Sequence, residues 1–208
     1  MENVEVIEHP ILKRDLSVLR DEGTPYGVFR SAIRDVSSIL AYEVLRSLKI
    51  RTVQVRTPLE STDGWVVDED VIVVPILRAG LGMIDGFVRF LPEARIGHLG
   101  MYRDEKTHEP VDYYSNIPSG IEKAHVIVVD PMLATGGSAA GAIRHLKELG
   151  ASKITLVTLV SAPEGIAFVH AGHPEVRIVT AVVDRELDEN AYIRPGLGDA
   201  GDRIFGTS

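Results

Sequence analysis

The sequence predicts an α/β fold in which a mostly parallel, twisted sheet is flanked by helices. Two aliphatic runs, Val71–Leu77 and residues 126–129, are typical of strands that are buried on both faces, as in a parallel sheet. A glycine-containing turn and a helical pattern follow each run. Because strands and helices alternate at βαβ spacing, we expect a doubly wound sheet whose ligands bind beyond the carboxyl ends of the strands.

The first part of the chain is predicted to form two helices. Residues 11–22 carry leucines at helical spacing and are followed by Gly23, a common helix stop. Residues 24–48 form a longer amphipathic pattern, and Pro25 suits its first turn. Both helices are expected to pack an apolar face against the sheet.

A β-hairpin is predicted after the second helix. Residues 51–57 alternate apolar and polar side chains, as a half-exposed strand does. We expect a turn at residues 61–64 and a return strand at residues 65–67, which begins with Trp65. A hairpin that protrudes at this point of the chain is expected to serve as a contact between subunits.

The remaining elements complete a single domain over residues 1–208. Three further strands and one helix are predicted, at residues 95–102, 153–160, 176–183 and 163–171. Segment 103–109 is densely charged without periodicity, and it is predicted to be a mobile, solvated loop. From residue 184 the chain turns polar and glycine-rich, so we expect an irregular tail that is too apolar in places to be disordered.

The composition excludes several classes of function. The 208 residues carry 22 Lys and Arg against 30 Asp and Glu, and the net charge of −8 argues against general affinity for nucleic acid or an anionic membrane. The chain has no cysteine, so disulfides and thiolate-ligated metals are excluded. Without a secretory pattern or an apolar run of about 18 residues, a soluble, cytoplasmic protein is expected.

The most informative motif is Asp-Pro-Met-Leu-Ala-Thr-Gly-Gly-Ser at residues 130–138, between a buried strand and a helical pattern. Such a connection presents free backbone N–H groups at a helix N-terminus, where the helix dipole also favours an anion. The two glycines allow a phosphate to approach the backbone, and Thr135 and Ser138 add hydroxyl donors. Asp130 would repel a phosphate, so sugar hydroxyls are its natural partners. From spacing alone, a strand-end cap and a tight turn remain an open alternative.

Other motifs give weaker signals. Residues 80–85 lack the third glycine of a dinucleotide fingerprint, and residues 196–201 match its spacing but are predicted to open no helix. No lysine follows Gly137, which argues against a P-loop. His170 and His173 lie close together without a paired acid, so no metal site is predicted there.

Four segments together resemble the uracil phosphoribosyltransferases, which are type I phosphoribosyltransferases. Residues 130–138 resemble the phosphoribosyl-pyrophosphate loop of that superfamily. Pro131 stands where most of its members have a second acid, as in the uracil enzymes. Residues 75–82 and 102–105 resemble two further motifs, and residues 192–202 resemble the uracil-binding segment. The resemblance runs over essentially the whole chain.

The resemblance implies an enzyme that transfers ribose 5-phosphate from phosphoribosyl pyrophosphate to uracil and yields UMP and pyrophosphate. A nucleotide-sensing regulator with the same fold and a purine phosphoribosyltransferase are the alternatives. The resemblance also implies Mg²⁺ carried with phosphoribosyl pyrophosphate, few or no protein ligands for that metal, a homodimer or higher homo-oligomer, and a possible GTP effector. Residues 184–208 would form a hood over the base.

The site residues follow from the same resemblance. Phosphoribosyl pyrophosphate would be bound by Arg78, Arg103, Asp130, Pro131, Met132, Leu133, Ala134, Thr135, Gly136, Gly137, Ser138 and Asp199. Uracil would be bound by Ile193, Gly198, Asp199 and Ala200. Arg103 and Asp199 are the residues implied to be catalytic, and the loop after Arg103 would act as a lid.

Overall fold

The computed structural model describes residues 3–103 and 110–207, and for residues 102, 103 and 110–112 it describes the backbone alone. In chain order the strands are β1 (Val4–Val6), β2 (Ile50–Arg56), β3 (Ser61–Val67), β4 (Val71–Leu77), β5 (Arg95–Ile96), β6 (His98–Arg103), β7 (Pro110–Asn116), β8 (His125–Val129), β9 (Met132–Leu133), β10 (Lys153–Ser161), β11 (Arg177–Val183), β12 (Glu186–Leu187) and β13 (Ile193–Arg194). The α-helices are α1 (Pro10–Arg20), α2 (Tyr26–Leu45), α3 (Ile84–Val88), α4 (Gly137–Glu148), α5 (Pro163–Gly172) and α6 (Ala200–Phe205). Short 3₁₀ helices span Ala79–Met83 and Ile121–Lys123.

Within the described part of the chain, a nine-stranded sheet runs in the order β1-β11-β10-β8-β4-β6-β7, with β5 paired to β4 and β9 paired to β10. Its pairings are parallel except that of β6 with β7. Parallel strands need crossovers, and the helices supply them on both faces. The predicted fold class, a mostly parallel sheet flanked by helices, is confirmed.

Strand β8 lies at the centre of the sheet and is buried on both faces. Ile127 and Val129 belong to one apolar cluster, which contains the buried side chains of α1 and α2. Val126 and Val128 belong to a second cluster on the opposite face, which contains those of α4 and α5. This alternation explains why the sequence of β8 is continuously aliphatic, since neither face meets water.

The predicted hairpin exists, but the predicted turn was wrong. Residues 61–64 lie within β3, and the turn is formed by residues 57–60. The Thr57 hydroxyl oxygen accepts the N–H groups of Leu59 and Glu60 at 3.2 and 3.0 Å and so stabilises the turn. Strands β2 and β3 pair with each other and form a separate two-stranded sheet.

The tail contains more regular structure than predicted. Helix α6 begins at Ala200, so the expectation that residues 196–201 open no helix was wrong. The Asp199 carboxylate accepts the Asp202 N–H at 2.9 Å and caps this helix. Strands β12 and β13 pair antiparallel before it. The strand predicted at residues 95–102 is divided into β5 and β6, and the predicted loop at 103–109 lies, beyond the backbone of Arg103, outside the described residues.

His125 is a buried titratable group at the amino end of β8. Its side chain is almost fully buried, and its Nε2 lies 2.9 Å from the Thr155 hydroxyl oxygen. Burial, together with the nearby positive charge of Lys153, lowers the pKa of His125 to about 4. The neutral imidazole is therefore the form that the folded protein holds.

We predict that this histidine destabilises the protein in mild acid. Its pKa is lower in the folded than in the unfolded chain, so stability falls as pH falls from about 6.5 towards 4. The loss between pH 7 and pH 5 should be about 2 kcal/mol. Denaturant unfolding at both pH values should give a smaller loss for His125→Gln, which keeps a polar group near Thr155 but cannot be protonated. Equal losses in both proteins would contradict the prediction.

Candidate active site at the carboxyl edge of the sheet

The loop after β8 runs along the carboxyl edge of the sheet. Asp130 follows the last residue of the strand, and its N–H donates to the Val157 carbonyl at 3.1 Å. The chain passes through Pro131 into β9, which pairs with the end of β10, and then enters α4 at Gly137. The predicted strand–loop–helix is present, and the phosphate loop, defined here as residues 134–138, lies at its helical end.

Among the described carboxyl groups at the carboxyl edge of the sheet, that of Asp130 has the most strongly shifted pKa. Burial raises the pKa of Asp130 to about 7, although its carboxylate accepts the Met132 N–H at 3.3 Å, which lowers the pKa. The folded protein therefore holds this side chain near half ionisation at neutral pH. A ligand that offers hydroxyl donors or a nearby cation would favour the charged form.

The phosphate loop leads into an uncapped helix. Gly136 precedes α4 with a φ of +85°, a left-handed conformation suited to glycine, and it provides no side-chain cap for the first N–H groups. The Gly137 N–H lies 3.5 Å from the Thr135 hydroxyl oxygen, at the limit of a hydrogen bond. The N-terminus of α4 therefore has backbone donors available for an anion.

Arg78 lies at the turn that follows β4. Its guanidinium is 3.5 Å from the Asp202 carboxylate and 5.9 Å from the centre of the Phe205 ring, so it contacts α6. The turn packs closely on the end of β8, since a Cβ atom at Gly80 would lie 2.5 Å from the Val129 carbonyl oxygen. This contact places Arg78 on the same edge of the sheet as Asp130.

Arg103 ends β6, a strand that pairs with β4 on the same sheet. Its backbone is therefore placed at the carboxyl edge, but its side chain lies outside the described residues. The role implied for the Arg103 guanidinium stays a prediction.

A cavity of about 270 Å³ joins the loop to the tail. It is lined by Ala79, Asp130, Met132, Ala134, Ala191, Tyr192, Ile193, Gly198, Asp199, Ala200 and Gly201. The structure thus brings Asp130 together with all four residues implied to bind uracil, although they are far apart in sequence. Ala79, Ala191, Tyr192 and Gly201 were not predicted as site residues, and Tyr192 lies within the tail motif that carries the signal.

The tail is tied to the body of the domain by a buried ion pair. Arg20 at the end of α1 donates to both carboxylate oxygens of Asp184, at 2.6 and 2.9 Å. The same carboxylate accepts the Gly196 N–H at 2.9 Å, and Arg20 also donates to the Gly196 carbonyl at 2.8 Å. Because Asp184 is buried, this network fixes the start of the tail and the turn at Gly196 relative to α1.

Arg203 makes a second tie from α6. Its guanidinium lies 4.2 Å from the centre of the Phe29 ring and donates to the carbonyls of Leu19, Leu197 and Asp21. Burial lowers the pKa of Arg203, which remains charged at any physiological pH. The helix that closes the cavity is therefore held against α1 and α2.

The edge of the cavity is shaped by a turn around Asp188. Its carboxylate accepts the N–H groups of Tyr192 and Asn190 at 2.9 and 3.0 Å and pairs with Arg194. The Tyr192 N–H is the main cause of the lowered pKa of Asp188. These contacts hold Ala191, which has a φ of +63°, and Tyr192 at the cavity.

Asp199 also stabilises the start of α6, a role that its sequence motif does not predict. Its exposed carboxylate caps α6 through the Asp202 N–H, and the residue also lines the cavity. The cap satisfies one of the first N–H groups of α6. The implied catalytic role of Asp199 stays a prediction.

Larger cavities of about 570, 520 and 430 Å³ lie elsewhere on the surface. They do not contain the loop after β8, whereas the smaller cavity combines the perturbed carboxyl group with convergent backbone groups. That combination marks the smaller cavity as the candidate active site.

Among the described residues, no cluster of three His, Asp or Glu side chains suits a metal ion, and no helix is long and apolar enough to cross a membrane.

Comparison with solved structures identifies the fold. A solved protein from Aquifex aeolicus is similar over 99% of both chains, with a TM-score of 0.93 and 34% sequence identity. An adenine phosphoribosyltransferase from Trypanosoma brucei, solved with AMP, pyrophosphate and ribose-5-phosphate, is similar with a TM-score of 0.60 at 14% identity. That match covers 96% of this chain and 89% of the other. The fold is that of the type I phosphoribosyltransferases.

Sequence comparison identifies the family. The uracil phosphoribosyltransferase family model matches residues 6–207. The uracil phosphoribosyltransferase of Salinibacter ruber is 64% identical over 207 residues, which cover 100% of this chain and 99% of the relative. That of Thermoanaerobacter sp. strain X514 is 50% identical over 206 residues, which cover 99% and 98%. This chain belongs to the uracil phosphoribosyltransferase family, and the resemblance drawn from its motifs is confirmed.

We predict that Asp130→Asn stabilises the ligand-free protein at high pH. The folded pKa of Asp130 lies above its unfolded value, so the charged carboxyl costs stability as pH rises through about 7. At pH 8 the variant should gain about 1–3 kcal/mol, and the gain should vanish near pH 4.

Thermal unfolding at pH 8 and pH 5 measures this effect, and Asp199→Asn is the matched control. That control changes an exposed carboxyl group of the same cavity and should not stabilise the protein. A lower melting temperature for Asp130→Asn than for the wild type at pH 8 would contradict the prediction.

Proposed function

We propose that this protein transfers ribose 5-phosphate from phosphoribosyl pyrophosphate to uracil and forms UMP and pyrophosphate. The observation that carries the proposal is the cavity in which Asp130 and Ala134, the first residue of the phosphate loop, meet Ile193, Gly198 and Ala200. Membership of the uracil phosphoribosyltransferase family supports the same reaction.

The phosphate loop would hold the 5′-phosphate of the substrate. The uncapped N–H groups at the start of α4 and the hydroxyls of Thr135 and Ser138 are donors, and the helix dipole adds a favourable field. Gly136 and Gly137 leave the loop backbone without side chains that would separate it from the phosphate oxygens.

Asp130 would accept hydrogen bonds from the 2- and 3-hydroxyls of the ribose. Hydrogen bonds to a charged acceptor are stronger than those to a neutral one, so binding would favour the ionised carboxyl. Since burial raises the pKa of the free group to about 7, affinity for phosphoribosyl pyrophosphate should decline as pH falls below that value.

Arg78 and Arg103 would bind the pyrophosphate group. The guanidinium fork matches phosphate oxygens, and its positive charge stabilises the leaving group as negative charge develops. The contact of Arg78 with Asp202 is 3.5 Å long and partly exposed, so exchange of that partner for a phosphate would cost little.

The tail would read the base through its main chain. Ile193, Gly198 and Ala200 line the cavity, and their backbone groups would face the O2, N3–H and O4 atoms of uracil. An acceptor opposite N3–H and a donor opposite O4 would reject cytosine, whose edge has the reverse pattern. Asp199 lies between these residues and would contact the phosphoribosyl group.

The bond between the anomeric carbon and pyrophosphate would break with oxocarbenium character. The chain contributes by stabilising charge at both ends of the reacting group and by holding the base in line. Because water competes with uracil for the anomeric carbon, the enclosure of the cavity by α6 and the Asp188 turn would favour transfer over hydrolysis.

Magnesium fits the site as an ion that enters with the substrate. Mg²⁺ prefers oxygen ligands and keeps several waters, and the carboxyl group of Asp130 is an oxygen group that a nearby cation would help to ionise. When bound, the ion would neutralise part of the pyrophosphate charge. Most of its ligands would then be substrate oxygens and water.

The same proposal covers the assembly, the effector and the location. A homodimer or a higher homo-oligomer would use the exposed apolar face of the β2–β3 hairpin, and GTP is proposed as an effector on family resemblance alone. Phosphoribosyl pyrophosphate and UMP are highly charged and cross membranes poorly, which supports a cytoplasmic location.

We predict that hairpin substitutions break the homo-oligomer. Trp65 and Leu59 are 67% and 95% exposed, and burial of such side chains is the usual driving force of a subunit contact. Sedimentation of Trp65→Arg and Leu59→Glu should show a smaller particle than the wild type. Ile11→Glu, which changes an exposed apolar residue of α1, should leave the assembly intact. An unchanged particle in both hairpin variants would overturn this part of the proposal.

We predict that the protein, with Mg²⁺ and phosphoribosyl pyrophosphate, converts uracil to UMP and leaves cytosine and hypoxanthine unused. Product from hypoxanthine without UMP would favour the purine-transferase alternative, and nucleotide binding without any product would favour a regulator. Measurement of nucleotide and pyrophosphate together separates these outcomes from hydrolysis.

A variant of Gly198 tests base recognition within that assay. Gly198 has a φ of +79°, so Gly198→Val strains the backbone that would face uracil and should raise the KM for uracil at least tenfold, or about 1.4 kcal/mol. The matched control is Gly120→Val, at a φ of +80° and remote from the cavity. Equal increases in the KM for uracil and the KM for phosphoribosyl pyrophosphate in Gly198→Val would point to misfolding of the tail instead.

A further inference from the structure

The first turn of α5 packs directly against the phosphate loop. A Cβ atom at Gly165 would lie 2.4 Å from the Ala134 carbonyl oxygen and 2.9 Å from that of Leu133. These are backbone atoms, so a side chain at this position would have to displace the loop or the helix. The Ala162 N–H donates to the Leu133 carbonyl at 2.8 Å, which fixes the helix start to the same segment.

The contact is reciprocal. A Cβ atom at Gly136 would lie 2.7 Å from the Gly165 carbonyl oxygen and 3.1 Å from the Cβ of Phe168. Phe168 lies one turn further along α5, and its half-exposed ring covers the left-handed Gly136. Two glycines therefore interlock the helix with the loop, and an aromatic ring closes the contact from outside.

The same helical turn also reaches the tail. The Glu164 carboxylate accepts the Leu187 N–H of β12 at 3.1 Å. Strand β12 pairs with β13, which contains Ile193 of the cavity. One turn of α5 thus contacts both the phosphate loop and β12, which pairs with the strand that carries Ile193 of the cavity.

We propose that Gly165 and Phe168 are positioning residues that set the distance of the phosphate loop from the rest of the active site. This inference rests on the proposed function, because it assigns the loop to the 5′-phosphate. Neither residue lines the cavity, so both act through the loop backbone. A displacement of about 1 Å in a substrate-holding group can cost about 100-fold in rate, which makes a contact this tight consequential.

The decisive variant is Gly165→Ala, and its matched control is Gly172→Ala. Both lie in α5, and a Cβ atom at Gly172 would meet nothing within 4 Å. Initial rates with each substrate varied should show the KM for phosphoribosyl pyrophosphate raised at least tenfold in Gly165→Ala. The KM for uracil should change less than threefold, and the Gly172→Ala enzyme should match the wild type in both.

Two results would overturn the proposal: less than a threefold rise in the KM for phosphoribosyl pyrophosphate, or equal rises for both substrates. If Gly165→Ala does not fold, Phe168→Ala decides, since its truncation leaves a half-exposed position. A rise of threefold or more in the KM for phosphoribosyl pyrophosphate alone supports the proposal, and a smaller or shared rise overturns it. A wild-type protein that makes no UMP would instead refute the proposed function.

Discussion

The burial of β8 on both faces is the constraint on which the rest of the structure depends. Its aliphatic side chains alternate between two apolar clusters, so helices must cover both sides of the sheet at this strand. The strand can then end only at the edge of the sheet, where Asp130 emerges between the turn after β4 and the end of β10. The position of the carboxyl group is thus fixed by packing, and its raised pKa is the electrostatic cost of that position.

The second half of the site depends on contacts of very long sequence separation. Arg20 and Asp184 are 164 residues apart, and Arg203 contacts Leu19 across 184 residues. Both arginines bind backbone carbonyls as well as their main partner, so each ties a turn of the tail to the first helices. The tail side of the cavity is therefore held by these charged side chains together with an apolar contact, since Ile193, Leu197 and Ile204 are buried in the same cluster as α1 and α2.

Sequence patterns predicted the sheet and its crossovers because strands buried on both faces are continuous aliphatic runs and amphipathic helices have strong periodicity. They failed where elements are short: β1 has 3 residues and α6 has 6, too few to show a period. Gly64 was assigned to a turn, although it lies in β3 and leaves room for the Val55 side chain. At the site, the sequence motifs predicted that the loop after β8 and the tail come together. The contacts of Gly165 and the anchoring role of Arg203 were not predicted, because they depend on tertiary geometry.

The closure of the cavity by the tail has a consequence for the order in which the protein acquires its site. The phosphate loop is complete at residue 138, but residues 191–201 are added only after about 60 more have been joined. At about 5–20 residues per second, a growing chain would carry an open, half-built site for roughly 3 to 12 seconds. The site is therefore completed only after residues 191–203 have been added and Arg203 meets the first helices.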